Sequence, residues 1–206
     1  MNIDLQSLER QAAARALTLL GGFTEEGATT LLLGPDPATF WPTLQAAPEA
    51  HQPDPVDAYS TRVITGWATD LDARPSFPFG QPLQPFITWA LKTGRCHISP
   101  VGLLVHDTQG LLVSFRGALT FDHAMDLPAP PPNPCPTCPA QCRTACPVDA
   151  LSAQAYDVPT CRAHLATPDN TCMSQGCAAR RACPLSPTRP DAQAAHHMRA
   201  FAGENA

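Results

Sequence analysis

Residues 133–151, NPCPTCPAQCRTACPVDAL, hold four cysteines in twelve positions, Cys135, Cys138, Cys142 and Cys146, with Pro147 directly after the last. A second set, Cys161, Cys172, Cys177 and Cys183, also closes on a Cys-Pro pair, Cys183-Pro184. From Pro134 onward the chain is poor in large apolar residues, so its organisation must depend on what these thiols bind rather than on a core of its own. At 206 residues the chain as a whole is long enough to bury a conventional core, and a disulfide framework is not required for stability. The N-terminal stretch MNIDLQSLERQAAARALTLLGG carries Asp4, Glu9 and Arg15 within its apolar pattern, which fits neither a signal peptide nor a membrane span. The expected location is the cytoplasm, where thiols are kept reduced and clustered cysteines hold metal more often than they pair.

The first set is spaced x2, x3, x3 and the second x10, x4, x5. A bacterial ferredoxin run has three cysteines on a tight turn and a fourth, followed by Pro, that ligates the other cluster of a two-cluster protein. Residues 135–147 match that run, with one additional residue between the second and third cysteines. The match predicts two 4Fe-4S clusters with exchanged ligands: Cys135, Cys138, Cys142 and Cys183 on one, and Cys146, Cys161, Cys172 and Cys177 on the other. The Pro after each crossing cysteine fixes its own φ and restrains the preceding Cys to extended backbone, so the thiolate leaves its turn at a defined angle. Two zinc sites of four thiolates are the competing reading, but zinc ribbons pair two CxxC knuckles, and only Cys135 and Cys138 make one here. Disulfides are a third reading, disfavoured by the compartment.

Arg143, Arg162, Arg180 and Arg181 stand among the candidate ligands, where guanidinium groups either raise a cluster's potential or are simply solvated. The ninth cysteine, Cys96 in TGRCHISP, reads as a lone buried or part-exposed thiol, since His97 is the only base beside it. His106, His196 and His197 read as surface residues rather than ligands, and Trp41, Trp67 and Trp89 as core.

Ahead of the cysteines, apolar spacing predicts a first helix over roughly residues 3–20, stopped by Gly21-Gly22, then a short buried strand in TTLLLG. A brief helix follows Asp36-Pro37, and a longer one spans VDAYSTRVITGWATDLDA, with Tyr59, Val63, Trp67 and Leu71 on one face. The Pro-rich stretch RPSFPFGQPLQ reads as a loop and PFITWALKTG as a short helix. GLLVHDTQGLLVSFRGALTF, two apolar runs around Asp107–Gly110, predicts a β-hairpin. The composition breaks at DLPAPPPNP. The expected class is α+β, with 1–127 as an N-terminal α/β domain, 128–134 as a Pro-rich linker, 135–190 as a two-cluster ferredoxin-like module and 191–206 as a C-terminal helix or tail. A net charge of -5 argues against a dedicated nucleic-acid binder, whose affinity comes from a basic face.

The succession of that hairpin, the Pro-rich linker, the cysteine run, then YDVPTCRAHL and GCAARRACP, resembles the central and iron-sulfur part of the epoxyqueuosine reductases and their reductive-dehalogenase relatives, over roughly residues 95–185. The resemblance implies an N-terminal α/β domain of nitroreductase-like shape, here a remnant, that binds cobalamin and receives electrons from the clusters. It also sets Cys161 where the family has an isolated ligand. Only about 100 residues precede the hairpin, and no counterpart of the family's acidic proton donor stands out among Asp36, Asp54, Asp57 and Asp107, which lie mostly in turn-like contexts. The family's tRNA-engaging helical repeats have no counterpart either. The aromatic stretch SFPFGQPLQPFITWA, with Phe77, Phe79, Phe86 and Trp89, suits a core better than a corrin pocket. The expectation is an iron-sulfur electron-transfer protein served by redox partner proteins as donor and acceptor, with cobalamin not favoured. The alternative is a corrinoid-dependent reductase.

Overall fold

In the computed structural model, which describes residues 4–168 and 170–203, helix α1 (Leu5–Ala13) opens where the Asp4 side chain accepts the Ser7 N–H at 2.6 Å. The expected first helix is shorter than its apolar spacing suggests. Ala16 takes a left-handed φ of 55°, and the chain leaves as strand β1 (Leu17–Glu25), in which Leu17 and Leu20 are buried. A leucine-rich run is ambiguous between helix and strand, and here pairing with β2 (Ala28–Pro35) decides it. Gly21-Gly22 is no helix stop: the register with β2 shifts between Leu19 and Gly22, a β-bulge. The β1–β2 turn is Glu26-Gly27, with φ of 52° and 82°, the two positive values of a type I′ hairpin turn. The first residue of the expected helix, and residues 204–206 of the expected tail, lie outside the described residues.

The remaining elements, in chain order, are α2 (Phe40–Ala46), a 3-10 turn (Pro48–His51), α3 (Pro55–Asp70), β3 (Arg74–Ser76), α4 (Phe86–Lys92), β4 (Cys96–Ile98), β5 (Leu104–His106), β6 (Gly117–Phe121), α5 (Val158–Leu165), α6 (Thr171–Gln175), α7 (Ala178–Arg181) and α8 (Asp191–Ala202). Two antiparallel sheets result, one in the order β1-β2-β6-β3 and one of β4 and β5. The protein is α+β. Strand β3 falls inside the Pro-rich stretch read as a loop; it is an edge strand, the place where a sheet tolerates Pro75.

The expected hairpin between the two apolar runs is not formed. The turn itself exists, with reciprocal hydrogen bonds between His106 and Gly110, but β5 pairs with β4, and residues 111–116 are not a strand. β6 pairs with β2 on one side and β3 on the other, so both its edges are satisfied, which a two-stranded hairpin would not achieve.

By contacts the chain divides into two units that are not contiguous in sequence: Met1–Arg95 with Ser114–Pro131, and Cys96–Val113 with Pro132–Ala206. Residues 96–113, counted above with the N-terminal domain, thus belong with the cysteines. α8 belongs there too, since Met198 shares a buried cluster with Leu165 and Cys172.

In the first unit α1, α2 and α3 bury Leu8, Phe40, Ile64 and Trp67 in one core with Leu31, Leu33 and Leu119 of the sheet. Tyr59 donates to the Arg15 carbonyl at 3.1 Å and Trp67 to Gln11 at 2.9 Å, which fixes α3 on α1. In the second unit Val101, Val105, Leu111 and Leu151 form a small core with Cys142. Gly110 lies against the 185–186 backbone so closely that a Cβ would come within 2.5 Å of the Ser186 nitrogen. Among the described residues no helix is long and apolar enough to cross a membrane.

Candidate functional site

The cysteine run is shaped by short-range hydrogen bonds rather than by regular structure. Asn133 accepts the Cys135 N–H at 3.0 Å, and the Cys138 N–H closes a turn onto the Cys135 carbonyl at 3.1 Å. Ala140, left-handed at φ 56°, redirects the chain into a 3-10 turn, Gln141–Arg143, that carries the buried Cys142. The second set is carried on helices. Cys161 lies in α5, whose N-terminus Asp157 caps by accepting the Thr160 N–H at 3.0 Å. Cys172 lies in α6, capped in the same way by Asn170. Cys177 stands immediately before α7 and Cys183 just after it.

The eight thiols gather around two separate hollows. Cys135, Cys138, Cys142 and Cys183 line the first, walled by Pro100, Val105, Leu111 and Pro184. Cys146, Cys161, Cys172 and Cys177 line the second, with Pro147, Leu151 and Leu165 in its wall. The last cysteine of each set in sequence has crossed to the other group, and the proline after it lines the hollow its cysteine joins. None of the nine cysteines is in a disulfide.

The electrostatics follow the same grouping. Burial, and then proximity to Cys138, Cys142 and Cys183, pushes the Cys135 thiol up. Cys142 is raised by burial, then by Cys183 and Cys138. Cys161 is raised by burial and by Cys177, Cys146 and Cys172, against a hydrogen bond from Tyr156 that lowers it. Cys172 is raised mainly by burial, opposed by the Ala178 N–H. Each hollow therefore holds thiols that resist ionisation alone and that a bound cation would favour as thiolates. Several donors already point at sulfur: Ala140 N–H to Cys138 at 3.4 Å, Ala150 N–H to Cys146 at 3.3 Å and the Tyr156 hydroxyl to Cys161 at 3.5 Å.

Among the described residues no three His, Cys, Asp or Glu side chains converge closely enough to hold a single metal ion. A 4Fe-4S cubane asks for a different arrangement. Each of its irons takes one thiolate, so four sulfurs surround a volume rather than meet at a point. Four thiols, apolar walls and N–H groups aimed at sulfur are a donor set suited to that group.

The four arginines part ways. Arg180 Nη1 donates to the Leu111 carbonyl at 2.9 Å, Arg181 Nε to Gly176 at 3.2 Å, and Arg162 Nε to Phe201 at 3.2 Å, while Arg143 is exposed. His106 is not a surface residue. It is fully buried, and its Nδ1 lies 2.9 Å from an Asp107 carboxylate oxygen, 3.1 Å from the Thr108 amide nitrogen and 3.3 Å from that of Gln109, contacts that gather the 107–110 turn around the ring. His196 is half-buried, and burial lowers its pKa, with Arg199 adding to the effect. Cys96 is buried, opposite His106 in the β4–β5 pair. Asp57 is not in a turn: it lies in the first turn of α3, 3.4 Å from Arg116, and burial raises its pKa despite that cation.

Of the tryptophans only Trp67 is fully buried. Phe77 stacks on Phe79 with ring centroids 5.3 Å apart, and Phe86 packs on Trp89 at 5.1 Å, so these aromatic rings contact one another. Tyr156 escaped the sequence reading. Its only signal is its place five residues before Cys161 in YDVPTC, a spacing without helical or strand logic ahead of the helix.

No family model, no curated protein and no solved structure matches the chain.

Proposed function

We propose that this protein is an iron-sulfur electron carrier with two 4Fe-4S clusters, one held by Cys135, Cys138, Cys142 and Cys183 and the other by Cys146, Cys161, Cys172 and Cys177. The observation that carries the reading is the gathering of eight thiols into two groups of four in the crossed division. Under this reading the second unit is a two-cluster ferredoxin-like module and the first a small nitroreductase-like remnant that meets a redox partner. A 4Fe-4S cluster supplies one-electron transfer when bound.

The chain's own groups do the rest. Val105, Leu111, Leu151 and Leu165 give the hollows apolar walls, and Cys142 and Cys172 are buried while the other six thiols are partly exposed. The amide N–H groups of Ala140 and Ala150 and the Tyr156 hydroxyl donate to thiolates and favour the more negative, reduced state. Crossed ligation would tie two clusters to each other through residues 142–146 and 177–183, and each would supply a one-electron site. Reduced thiols of this kind belong in a reducing compartment such as the cytoplasm.

Anaerobic reconstitution with iron and sulfide tests the assignment. About eight irons per chain are expected, two clusters' worth. Stoichiometric zinc in the protein as isolated, or about four irons with a single spectral species, would overturn it. Low-temperature electron paramagnetic resonance tests the division. Cys183→Ala and Cys138→Ala should damage one species and Cys161→Ala the other, whereas sequential ligation would group Cys183 with Cys161. Cys96→Ala should leave both intact.

A further inference from the structure

Beside the second hollow lies another cavity, of about 260 Å³, formed entirely by the second unit and lined by Arg180, Arg181, Arg189, Ser186, Thr188 and Gln193. We propose that it is a binding site for a small hydroxylated oxyanion, a phosphate or a hydroxycarboxylate.

Three arginines line one small space, and a main-chain carbonyl holds the guanidinium of each. Arg180 Nη1 donates to Leu111 and Arg189 Nη2 to Leu112, so the two cations are held against adjacent peptide units; Arg181 Nε donates to Gly176. Ser186 braces the first anchor by accepting the Leu111 N–H at 3.1 Å while donating to the Arg180 carbonyl at 2.8 Å. A guanidinium has five N–H donors, and Arg180 and Arg181 each commit one of them here. Among the described residues neither forms an ion pair with a carboxylate. Asp191 is the single acidic residue in the cavity lining, so the cations outnumber it three to one.

Like charges gathered in a partly enclosed space repel, and an oxyanion taking charge-assisted hydrogen bonds from them reverses that cost. A second, independent observation also calls for a ligand. Gln193 lines the cavity and its Oε1, enclosed in the wall, has no hydrogen-bond partner; a turn of that side chain toward the cavity would let it accept from a ligand hydroxyl. The volume lies just under the usual range for ligand pockets and suits a phosphate or a four-carbon acid rather than a nucleotide. Cys177, Arg180, His197 and Met198 line both this cavity and the second hollow, so a bound anion rests against the wall of the second thiol group.

The test is calorimetric titration of the full chain, purified anaerobically, with inorganic phosphate, malate or succinate at constant ionic strength set by chloride. Saturable binding of phosphate or malate at one site per chain is expected, with malate tighter than succinate because only malate carries the hydroxyl for Gln193. Arg181→Gln should weaken binding about tenfold or more, and so should Arg180→Gln if loss of its Leu111 anchor leaves the unit folded. Arg10→Gln, on α1, should leave binding unchanged. Absence of saturable binding by both phosphate and malate, or binding undiminished in Arg181→Gln, would overturn the proposal. Iron content measured on the same samples separates this outcome from failure of the cluster assignment, because the groups that would bind the anion are arginines and amides, and Cys177 only shares the wall.

Discussion

The Glu49 side chain is 7% exposed, and Arg62 meets both carboxylate oxygens through Nε and Nη2. That hydrogen bond, ahead of every other influence, holds the Glu49 carboxyl below its ordinary value. A carboxylate with a depressed folded-state pKa adds stability that is present above the unfolded pKa and lost as pH falls through the folded one. Glu49→Gln should therefore lower the Tm at neutral pH. The gap from wild type should narrow below about pH 4.3, the unfolded value for Glu, and close in stronger acid. Thermal scans across that range test it, and a gap independent of pH would refute the linkage. Tyr156 offers a second residue-level test. Its hydroxyl donates to Cys161 and its ring stacks on Phe201, 5° from parallel. Burial first, then the Cys161 hydrogen bond, raises its pKa, so it remains a donor at physiological pH. Under the proposed two-cluster reading, Tyr156→Phe moves the potential of the cluster that Cys161 would hold negative by ~20–65 mV, the one-electron equivalent of a single hydrogen bond, and leaves the other unchanged. A redox titration followed by paramagnetic resonance would expose an equal shift in both, which would count against the assignment.

At the scale of elements, the β1–β2 turn is the sharpest local test. Gly27 sits at φ 82° with open space around its Cα, so Gly27→Ala meets no clash and carries only the left-handed backbone cost. A loss of about 1–2 kcal/mol in denaturant titrations is expected, and an unchanged midpoint would show that the turn relaxes. The same hairpin shows where sequence reading stopped. Long-period patterns were legible: α3 and α4 lie where their apolar spacing and flanking Pro and Gly put them, and TTLLLG is a buried strand. The leucines of β1 were not, because Leu17 and Leu20 extend the helical spacing of α1 and only pairing with β2 breaks the tie. The 104–121 stretch failed for a related reason. Its alternation is local, but its partners are β4 on one side of the turn, and β2 and β3 on the other. The run Cys135–Cys146 was legible because its tight spacing and closing Pro are local, whereas the division that puts Cys183 with Cys135 rested on the likeness to a ferredoxin run. Tyr156 and the arginine-lined cavity depend on residues brought together by folding, such as Leu111 and Arg180, 69 positions apart.

At the scale of the whole molecule, the path of the chain matters more than any one element. It passes between the two units at residues 95/96, 113/114 and 131/132. A chain ending at Pro131 keeps the whole first unit, including β6, whereas one ending at residue 113 loses the strand that joins β2 to β3. Only the longer truncation should unfold cooperatively when its circular dichroism is followed with heating. Equal behaviour of the two would mean that β6 is dispensable.

The crossing of the thiol groups bears on synthesis. As the ribosome extends the chain, Val101, Val105 and Leu111 emerge well before their partner Leu151, and at roughly 5–20 residues per second the nascent segment waits seconds for it. The thiols emerge in an order that inverts their apparent priority. The group that begins first, at Cys135, is not complete until Cys183 has been added, whereas the group that begins at Cys146 is complete at Cys177. An iron donor acting during translation would therefore meet a full set of four at the later-starting group first.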